Sequence, residues 1–325
     1  MNRTRRRLLD LAAAAAVLPV LWRTAGAQTY PTRAVRIIVG FAAGGGVDIV
    51  ARLMAQWLSE RLGQPFTVEN RPGANGYIAT EAVIRSPSDG YTLLLVNAAN
   101  ASSATLYDNL SFNFIRDIAP IGTIIRVPQI VVVNPLLPTK TIAEFIAYTK
   151  ANPGKINMAS GGNGAPEHMA GELFKLMTGV NMLHVPYRGA APALIDLIAG
   201  EVQVMFAAMP ASIEYIRAGR LRALAVTTTT RAQALPDIPT VGDFVPGYEA
   251  SQWYGIGAPH GTSSEVINRL NEEINAGLAD PKMRARFAEL GGMLLPGSPA
   301  GFGKIIADET EKWGKVVGAA NIKAE

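Results

Sequence analysis

The hydrophobic positions of this chain fall into two alternating patterns. Short apolar runs with the length of buried strands are followed by stretches in which apolar residues recur with the spacing of one helix face. Because helices that alternate with apolar strands cover a parallel sheet on both faces, the sequence predicts an α/β protein with mostly parallel sheets. We expect strands near residues 37–41, 66–69, 91–97, 130–133, 156–159, 183–185, 202–207, 221–227 and 253–258, and helices near residues 47–58, 77–85, 142–150, 167–177, 191–199, 211–218, 263–278, 281–290 and 299–317.

Two stretches interrupt this alternation and indicate crossings between two lobes. Residues 118–133 are extended and contain two prolines, and residues 236–248 are irregular and rich in proline. The helical patterns at the end of the chain are expected to pack back on the first lobe. We therefore predict lobe 1 from residues 28–125 plus 252–325, lobe 2 from residues 126–251, and a ligand cleft between them.

A glycine-rich loop follows the first predicted strand and leads directly into a helix. Gly44, Gly45 and Gly46 lack Cβ atoms, so a ligand can approach the backbone, and the free N–H groups of a helix's first turn attract anions. The glycines do not match the spacing of a dinucleotide or P-loop fingerprint, which argues against a nucleotide. Taken alone, the loop is equally consistent with a tight turn that binds nothing.

The second predicted lobe contains a counterpart to this loop. Residues 160–165 follow a predicted strand, and Pro166 suits the first position of the helix that comes next. Open α/β sheets bind ligands at the carboxyl ends of their strands, where both loops are expected to lie. Two such loops in two lobes indicate a small anionic ligand held between them.

The first 27 residues have the features of an export signal: a basic head, an apolar run and a small-residue cleavage site before Gln28. Residues 4–9 also resemble a twin-arginine signal, and the export route stays open. This segment carries five arginines and one acid, which account for the whole formal net charge of +4. We therefore expect a nearly neutral mature protein that starts at Gln28, is soluble in the periplasm and binds neither nucleic acid nor anionic lipid.

Candidates for catalysis and for metal binding are few. The chain has no cysteine, its three histidines are too scattered for a zinc site, and no serine lies in a nucleophile elbow. His168, beside Glu167 at a helix start, is the candidate general base of a hydrolase, although a histidine there more often caps or packs. His184 is interpreted as a packing residue. The sequence therefore predicts neither an enzyme nor a cofactor or metal.

A series of motifs occurs in a fixed order along the chain. They are VGFAAGGGVDIVAR at 39–52, ENRPGA at 69–74, DGYTLL at 89–94, AGELF at 170–174, HVPYRG at 184–189, AGRLRALAV at 218–226, PDIPTV at 236–241 and WYG at 253–255. Together they resemble the Bug, or TctC-like, extracytoplasmic solute receptors of tripartite tricarboxylate transporters. The similarity covers essentially the whole mature chain.

The resemblance implies a type II periplasmic-binding-protein fold, whose two lobes close on a small carboxylated solute and hand it to a membrane permease. In this family, backbone groups and ordered water in the two loops hold the carboxylate of the ligand. We expect a monomer without a cofactor. By position, the residues that would contact the ligand are Phe41, Ala43, Gly44, Gly45, Asn97, Ser160, Asn163, Gly164, Ala165 and Ala207.

Three of these positions depart from the family pattern. Ala43 replaces a common proline, Ala165 a common hydroxyl residue, and Ala207 an aspartate that some members, including amino-acid binders, carry. Because the last change removes a partner for an ammonium group, the sequence argues against an amino-acid ligand. Two other functions stay open: a receptor whose liganded form is read by a membrane sensor, and an exported hydrolase.

Overall fold

The computed structural model describes residues 30–106, 111–320 and 322. The predicted export signal, residues 1–27, lies outside this part of the chain. All the helices and strands described below belong to one compact unit, Arg33–Glu325. None of the described helices is long and apolar enough to cross a lipid bilayer.

The elements follow one another as strands and helices with two short 3₁₀ turns, Ala74–Gly76 and Val241–Asp243. The strands are β1 (Val35–Val39), β2 (Phe66–Asn70), β3 (Thr92–Asn97), β4 (Ile118–Val133), β5 (Asn157–Ser160), β6 (Leu183–Pro186), β7 (Val204–Ala208), β8 (Arg222–Val226), β9 (Ser251–Pro259) and β10 (Met293–Leu294). The helices are α1 (Gly46–Leu62), α2 (Tyr77–Ile84), α3 (Ala98–Leu106), α4 (Phe114–Asp117), α5 (Ile142–Ala151), α6 (Pro166–Thr178), α7 (Ala190–Ala199), α8 (Met209–Arg217), α9 (Ser264–Ala279), α10 (Pro281–Glu289) and α11 (Pro299–Ala320).

One long strand, β4, is shared by both halves of the sheet. Along residues 118–128 it pairs with β9, and along residues 129–133 it pairs with β7 and β8. The order of hydrogen-bonded strands is β2-β1-β3-β9-β4-β7-β5-β6, with β8 and β10 also paired to β4. We call β1, β2, β3, β9, β10 and the start of β4 the first half, and β5 to β8 with the end of β4 the second half.

The sheet is mixed, and its parallel pairs lie in the outer parts of the two halves. β1 pairs in parallel with β2 and β3, and β5 pairs in parallel with β6 and β7. The described pairs that involve β4 or β9 are antiparallel. The α/β prediction is confirmed, and the expected parallel pairing holds for the outer strands. The centre is antiparallel because β9 runs opposite to β3 and β4, and the end of β4 runs opposite to β7 and β8.

The two prolines of β4 explain why its sequence resembles an irregular crossing. Pro120 lies where the register with β9 shifts, between Pro120 and Gly122. Pro128 forms the last pair with β9, opposite Ser251, directly before β4 changes partners. A proline lacks the N–H group that a central strand needs, and both prolines sit where regular pairing is interrupted. The predicted crossing is therefore a continuous strand with local irregularities.

The end of β4 is buried on both faces of the sheet. Val131 and Val133 pack in a cluster with Phe174 of α6, whereas Ile130 and Val132 pack in a cluster on the other face. A strand that is covered on both sides needs apolar residues at every position, which explains the unbroken apolar run. The second half of the sheet therefore has helices on both faces.

The last helix, α11, contributes to the cores of both halves. Its first turns place Phe302 and Ile306 in the cluster around Trp253 of β9, where the rings of Trp253 and Phe302 meet edge to face. Its later turns place Trp313 and Val317 in the cluster of the second half. Sequence analysis assigns this helix to lobe 1 alone, whereas it packs against both halves of the sheet.

Gly255 of β9 tests how tightly α11 packs on the sheet. A Cβ atom there would lie 2.7 Å from the carbonyl oxygen of Gly122 and 2.7 Å from Cε1 of Phe302. Because neither neighbour can move without disturbing the core, we expect Gly255→Ala to lower the free energy of unfolding by about 1–3 kcal/mol. Gly318→Ala is the control, since a Cβ at this helical position meets no atom within 4 Å and replaces a poor helix former. Urea unfolding of both variants measures the difference, and equal stabilities would contradict the close packing.

Candidate functional site

Both glycine loops lie between a strand and a helix, as the sequence predicts. The first loop joins β1, which ends at Val39, to α1, which begins at Gly46. The second joins β5, which ends at Ser160, to α6, which begins at Pro166. At the start of a helix the missing N–H group of a proline breaks no hydrogen bond. Each loop therefore presents the N-terminus of a helix at the carboxyl end of a strand.

The side chain of Asp48 holds the first loop in place. Its Oδ2 atom accepts hydrogen bonds from the Gly44 N–H group at 2.9 Å and from Arg52 Nε at 2.8 Å. Its Oδ1 atom accepts a third from Asn70 Nδ2 at 2.9 Å. Burial alone raises the pKa of the Asp48 carboxyl, but the hydrogen bonds outweigh burial and the pKa is lowered. Gly44 adopts a φ of +83°, which glycine tolerates best, so this part of the motif fixes the shape of the loop.

A small cavity, which we call the inner cavity, lies between the N-terminus of α1 and the second half of the sheet. Its volume is about 10 Å³, which is room for one water molecule. The starts of α1, α6, α7 and α8 meet there with the end of β3 and the start of β9. The lining residues are Phe41, Gly45, Gly46, Val47, Asn97, Pro166, Glu167, Ala190, Ala208, Gln252 and Tyr254.

A larger cavity, which we call the outer cavity, shares Phe41 with the inner one. Its volume is about 360 Å³, within the range of small-molecule sites. Among the described residues that line either cavity, Arg188 alone carries a positive charge. The lining residues are Gly40, Phe41, Pro72, Gly73, Ala74, Asn75, Gly161, Gly162, Asn163, Pro186, Tyr187 and Arg188.

The two halves of the protein meet directly across the inner cavity. The Ser102 hydroxyl of α3 donates a hydrogen bond to the Gly164 carbonyl oxygen at 2.8 Å. A Cβ atom on Gly45 would lie 3.7 Å from the Cβ atom of Ala190, at the start of α7. The two loops therefore approach each other closely at the inner cavity, which has room for one water, while the outer cavity, also lined by residues of both loops, has a volume of about 360 Å³.

Asn97 offers an unused hydrogen-bond donor to the inner cavity. The side chain is 1% exposed, and its Oδ1 atom accepts a hydrogen bond from the Ala99 N–H group at 3.1 Å. Its Nδ2 group is buried and has no partner among the described residues. The N–H groups of Gly46 and Val47 lie in the first turn of α1, where a helix provides no acceptor. The inner cavity thus offers donors without a cationic side chain, which suits a small anion.

Glu167 brings a carboxylate to the same cavity. The residue is 6% exposed, and its Oε1 atom accepts a hydrogen bond from Gln252 Nε2 at 3.3 Å. The Tyr254 hydroxyl donates in turn to Gln252 Oε1 at 2.5 Å. Burial raises the pKa of the Glu167 carboxyl. Burial, and after it the charge of Glu167, raises the pKa of the Tyr254 hydroxyl well above its usual value.

The two histidines considered in the sequence lie together behind the second loop. The rings of His168 and His184 stack with their centroids 3.7 Å apart, and the Gly164 N–H group donates to His168 Nδ1 at 3.0 Å. Ser160 Oγ lies 2.6 Å from His184 Nε2. Burial, and after it the charge of His168, lowers the pKa of His184 to about 3. Neither histidine lines the inner or the outer cavity and Ser160 is fully buried, so this group supports the second loop.

The ten residues predicted to contact a ligand lie in different places in the structure: on one of the two cavities, on a loop away from them, or in the apolar core. Those on the inner cavity are Phe41, Gly45 and Asn97, and those on the outer cavity are Phe41 and Asn163. Those on the loops but on neither cavity are Ala43 and Gly44, which are exposed, and Ser160, Gly164 and Ala165, which are buried. Ala207 packs in the apolar cluster of the second half, and its neighbour Ala208 lines the inner cavity.

Three polar residues of the inner cavity, Glu167, Gln252 and Tyr254, are not among the residues predicted from the sequence. Gln252 and Tyr254 flank Trp253 in β9, and side chains alternate along a strand, so both face away from the core that contains Trp253. Glu167 is considered only as a neighbour of His168, although its position directly after Pro166 places it in the first turn of α6. The described residues contain no cluster of histidine and acidic side chains that could hold a metal ion.

Comparisons with known proteins find relatives over most of the chain. The family model described as "Tripartite tricarboxylate transporter family receptor" matches residues 50–322. The protein BugT of Bordetella pertussis is 37% identical over 311 residues, which are 93% of this chain and 95% of BugT.

Solved structures match the fold closely. Rpa4515 of R. palustris with adipate has a TM-score of 0.88 and 36% identity, and the match covers 90% of this chain and 99% of that one. MatC of Rhodopseudomonas palustris with bound malate has a TM-score of 0.84 and 28% identity, and the match covers 89% and 100%. These neighbours are periplasmic binding proteins of the two-lobed fold, so the predicted fold class is confirmed.

Gly45 and Gly164, one in each loop, differ in how much the backbone at that position depends on glycine. Gly164 has a φ of +71°, and a Cβ atom there would collide with Leu106, so Gly164→Ala should lower the free energy of unfolding by about 2 kcal/mol or more. Gly45 has a φ of −78°, and its Cβ would make only ordinary contacts. We therefore expect Gly45→Ala to change stability by about 0.5 kcal/mol or less. Denaturant unfolding compares the two variants. A similar loss of unfolding free energy in both would show that positions 45 and 164 are equally constrained.

Proposed function

The chain belongs to the tripartite tricarboxylate transporter receptor family, and from this premise we propose that it captures a small carboxylated metabolite and delivers it to the permease of such a transporter. The family consists of solute-binding receptors and not of enzymes, which removes the hydrolase alternative. Its members act in the periplasm, and we propose that residues 1–27 direct the export of this chain. The receptor acts as a monomer in this proposal.

The single observation that carries the proposal is the unpartnered Nδ2 group of Asn97, a residue at the end of β3 that lines the inner cavity together with the start of α1. A buried amide without a partner costs free energy unless a ligand or water supplies the acceptor. A carboxylate oxygen in the inner cavity would accept from Asn97 and from the first N–H groups of α1 together. A neutral cradle of this kind binds an anion through dipoles and hydrogen bonds, so it discriminates by shape and geometry.

The outer cavity has room for the rest of the ligand. Its volume of about 360 Å³ accommodates the carbon chain of a small acid, and Arg188 on its wall suits a second anionic end. Phe41, on both cavities, provides an apolar surface between the two polar ends. The related structures that hold adipate and malate support a small carboxylate as the class of ligand.

Capture involves closure of lobe 1, residues 28–125 plus 252–325, on lobe 2, residues 126–251. The hydrogen bond from Ser102 to Gly164 and the contact between Gly45 and Ala190 both join these two lobes. A ligand favours the closed form only as far as it binds that form more tightly. A carboxylate that touches the loops of both lobes meets this requirement.

Exchanging the Asn97 donor for an acceptor tests the proposed anion site, which Asn97 Nδ2 forms with the first N–H groups of α1. Asn97→Asp keeps the oxygen that accepts from Ala99 but replaces the free Nδ2 donor with a charged oxygen. Because a lost hydrogen bond to a charged group is worth about 1.5–3 kcal/mol, we expect the affinity for carboxylates to fall at least about tenfold. Isothermal titration with adipate, malate and shorter dicarboxylates measures this effect.

Asn181→Asp is the control for Asn97→Asp, because it adds the same charge at an exposed position away from both cavities. It should bind as the unchanged protein does. In cells, Asn97→Asp should abolish uptake of the acid that binds. Unchanged uptake together with lost binding would overturn the transport role, and loss of a transcriptional response alone would favour the membrane-sensor alternative.

A pair of cysteines tests closure, because the chain has no cysteine of its own. The Cβ atoms at Gly45 and Ala190 would lie 3.7 Å apart, which matches the usual Cβ separation in a disulfide. We expect the double variant Gly45→Cys, Ala190→Cys to form a disulfide that locks the lobes together. Small-angle scattering should then give a smaller radius of gyration for the oxidised than for the reduced, ligand-free protein. Identical radii would contradict the closure of two lobes and favour a rigid pocket.

A further inference from the structure

The position of Glu167 does not fit a site that only binds a carboxylate. Glu167 lines the inner cavity together with Asn97, Gly46 and Val47, which supply donors for an anion. In the described part of the chain, neither a lysine nor an arginine lines this cavity. A ligand carboxylate and an ionised Glu167 would therefore face each other in a nearly dry space, where like charges repel strongly.

The hydrogen bonds around Glu167 identify it as an acceptor. The Tyr254 hydroxyl donates to Gln252 Oε1, and Gln252 Nε2 donates to Glu167 Oε1. The backbone N–H groups of Gly161 and of Glu167 itself also bond to the carboxylate. This chain of neutral donors ends on Glu167. It favours the charged form but does not outweigh burial, which raises the pKa of the Glu167 carboxyl, and a donor on the ligand would supply the stabilisation that this charge lacks.

We propose that Glu167 makes this receptor select carboxylates that carry a hydrogen-bond donor, an ammonium or hydroxyl group, close to the bound carboxylate. The donor lies close because Glu167 and Asn97 line the same small cavity. The inference rests on the proposed function of the site and names the class of ligand that it takes.

The absence of aspartate at position 207 does not oppose this selection. Ala207 is fully buried in the apolar cluster of the second half and lines neither cavity. The charge of the inner cavity is therefore set by Glu167, which reaches it from a different element. The argument from sequence against an amino-acid ligand concerns a position outside the cavity.

Calorimetric titration with matched acids tests the selection. Each set shares one chain length and differs in one group at the second carbon: succinate, malate and aspartate; glutarate, 2-hydroxyglutarate and glutamate; adipate, 2-hydroxyadipate and 2-aminoadipate. At the preferred length we expect a donor-bearing acid to bind the full mature protein at least about tenfold more tightly than the plain acid. The comparison between the hydroxyl and the ammonium members shows which donor the site takes.

Three variants assign this preference to Glu167. Glu167→Gln keeps the size of the side chain but removes its charge, so the preference for the donor-bearing acid should disappear while the plain acid binds equally or better. Glu167→Asp keeps the charge and should retain part of the preference. Glu214→Gln removes an exposed carboxylate on α8, away from both cavities, and should change nothing. Thermal unfolding confirms that each variant is folded.

The outcomes separate this inference from the proposed function. If the protein binds plain acids as tightly as donor-bearing ones, or if Glu167→Gln leaves the preference intact, the role of Glu167 is overturned and the receptor function stands. If plain acids bind more tightly than their donor-bearing counterparts and Glu167→Gln preserves that order, Glu167 acts as a neutral group and the inference is again overturned. If no acid of any set binds, the proposed function itself fails.

Discussion

Backbone pairing along β4 is the constraint on which the rest of the structure depends. Its 16 residues extend over about 50 Å and are bonded at the start by β9 and β10 and at the end by β7 and β8. Each of these pairs fixes a register, so the halves of the sheet cannot shift independently along most of the strand. The lobe closure of the proposed function would therefore concentrate where β4 changes partners, between Pro128 and Gln129.

The residue at this change of partners is also connected to the site. Gln129 is fully buried, its N–H group donates to Thr227 Oγ1 at 2.9 Å, and its Nε2 atom donates to the Pro166 carbonyl oxygen at 3.1 Å. Pro166 begins α6 and lines the inner cavity next to Glu167. A rotation at Gln129 therefore moves the start of α6 with it. The helix α11 is the second connection between the halves. It packs through Phe302 on one half and through Trp313 on the other, so closure of the lobes must keep both of these contacts.

The sequence predicts the strands and helices of this fold better than it predicts how they pair and which side chains come together. Alternating apolar runs identify the strands and helices because burial on one or two faces imposes a period, and the two glycine loops lie where the pattern places them. The continuity of β4 is not predictable from its sequence, because prolines at positions 120 and 128 are usually breakers and here fall at interruptions of pairing. The inner cavity combines residues from distant parts of the chain, such as Asn97, Glu167 and Gln252, and no local pattern indicates that their side chains converge. The same limit applies to position 207. The apolar run of β7 predicts that Ala207 is buried, but it does not show that Ala208 is the residue that lines the inner cavity.

The contacts in the structure give the motif residues and Glu167 different roles. In the longest motif, Asp48 accepts hydrogen bonds from Arg52 and from the Gly44 N–H group, so these two side chains maintain the shape of the first loop. The AGELF motif of α6 contains Glu172, which bonds to Lys175 and reaches His168 behind the second loop. Glu167 lies one turn earlier, outside every motif, and is the acidic side chain that lines the inner cavity. Asp48 shapes the first loop, whereas Glu167 lines the inner cavity and accepts a hydrogen bond from Gln252 of β9. Under the proposed function, a change of side chain at Glu167 therefore alters what the inner cavity accepts, while the Asp48 contacts that shape the first loop stay in place.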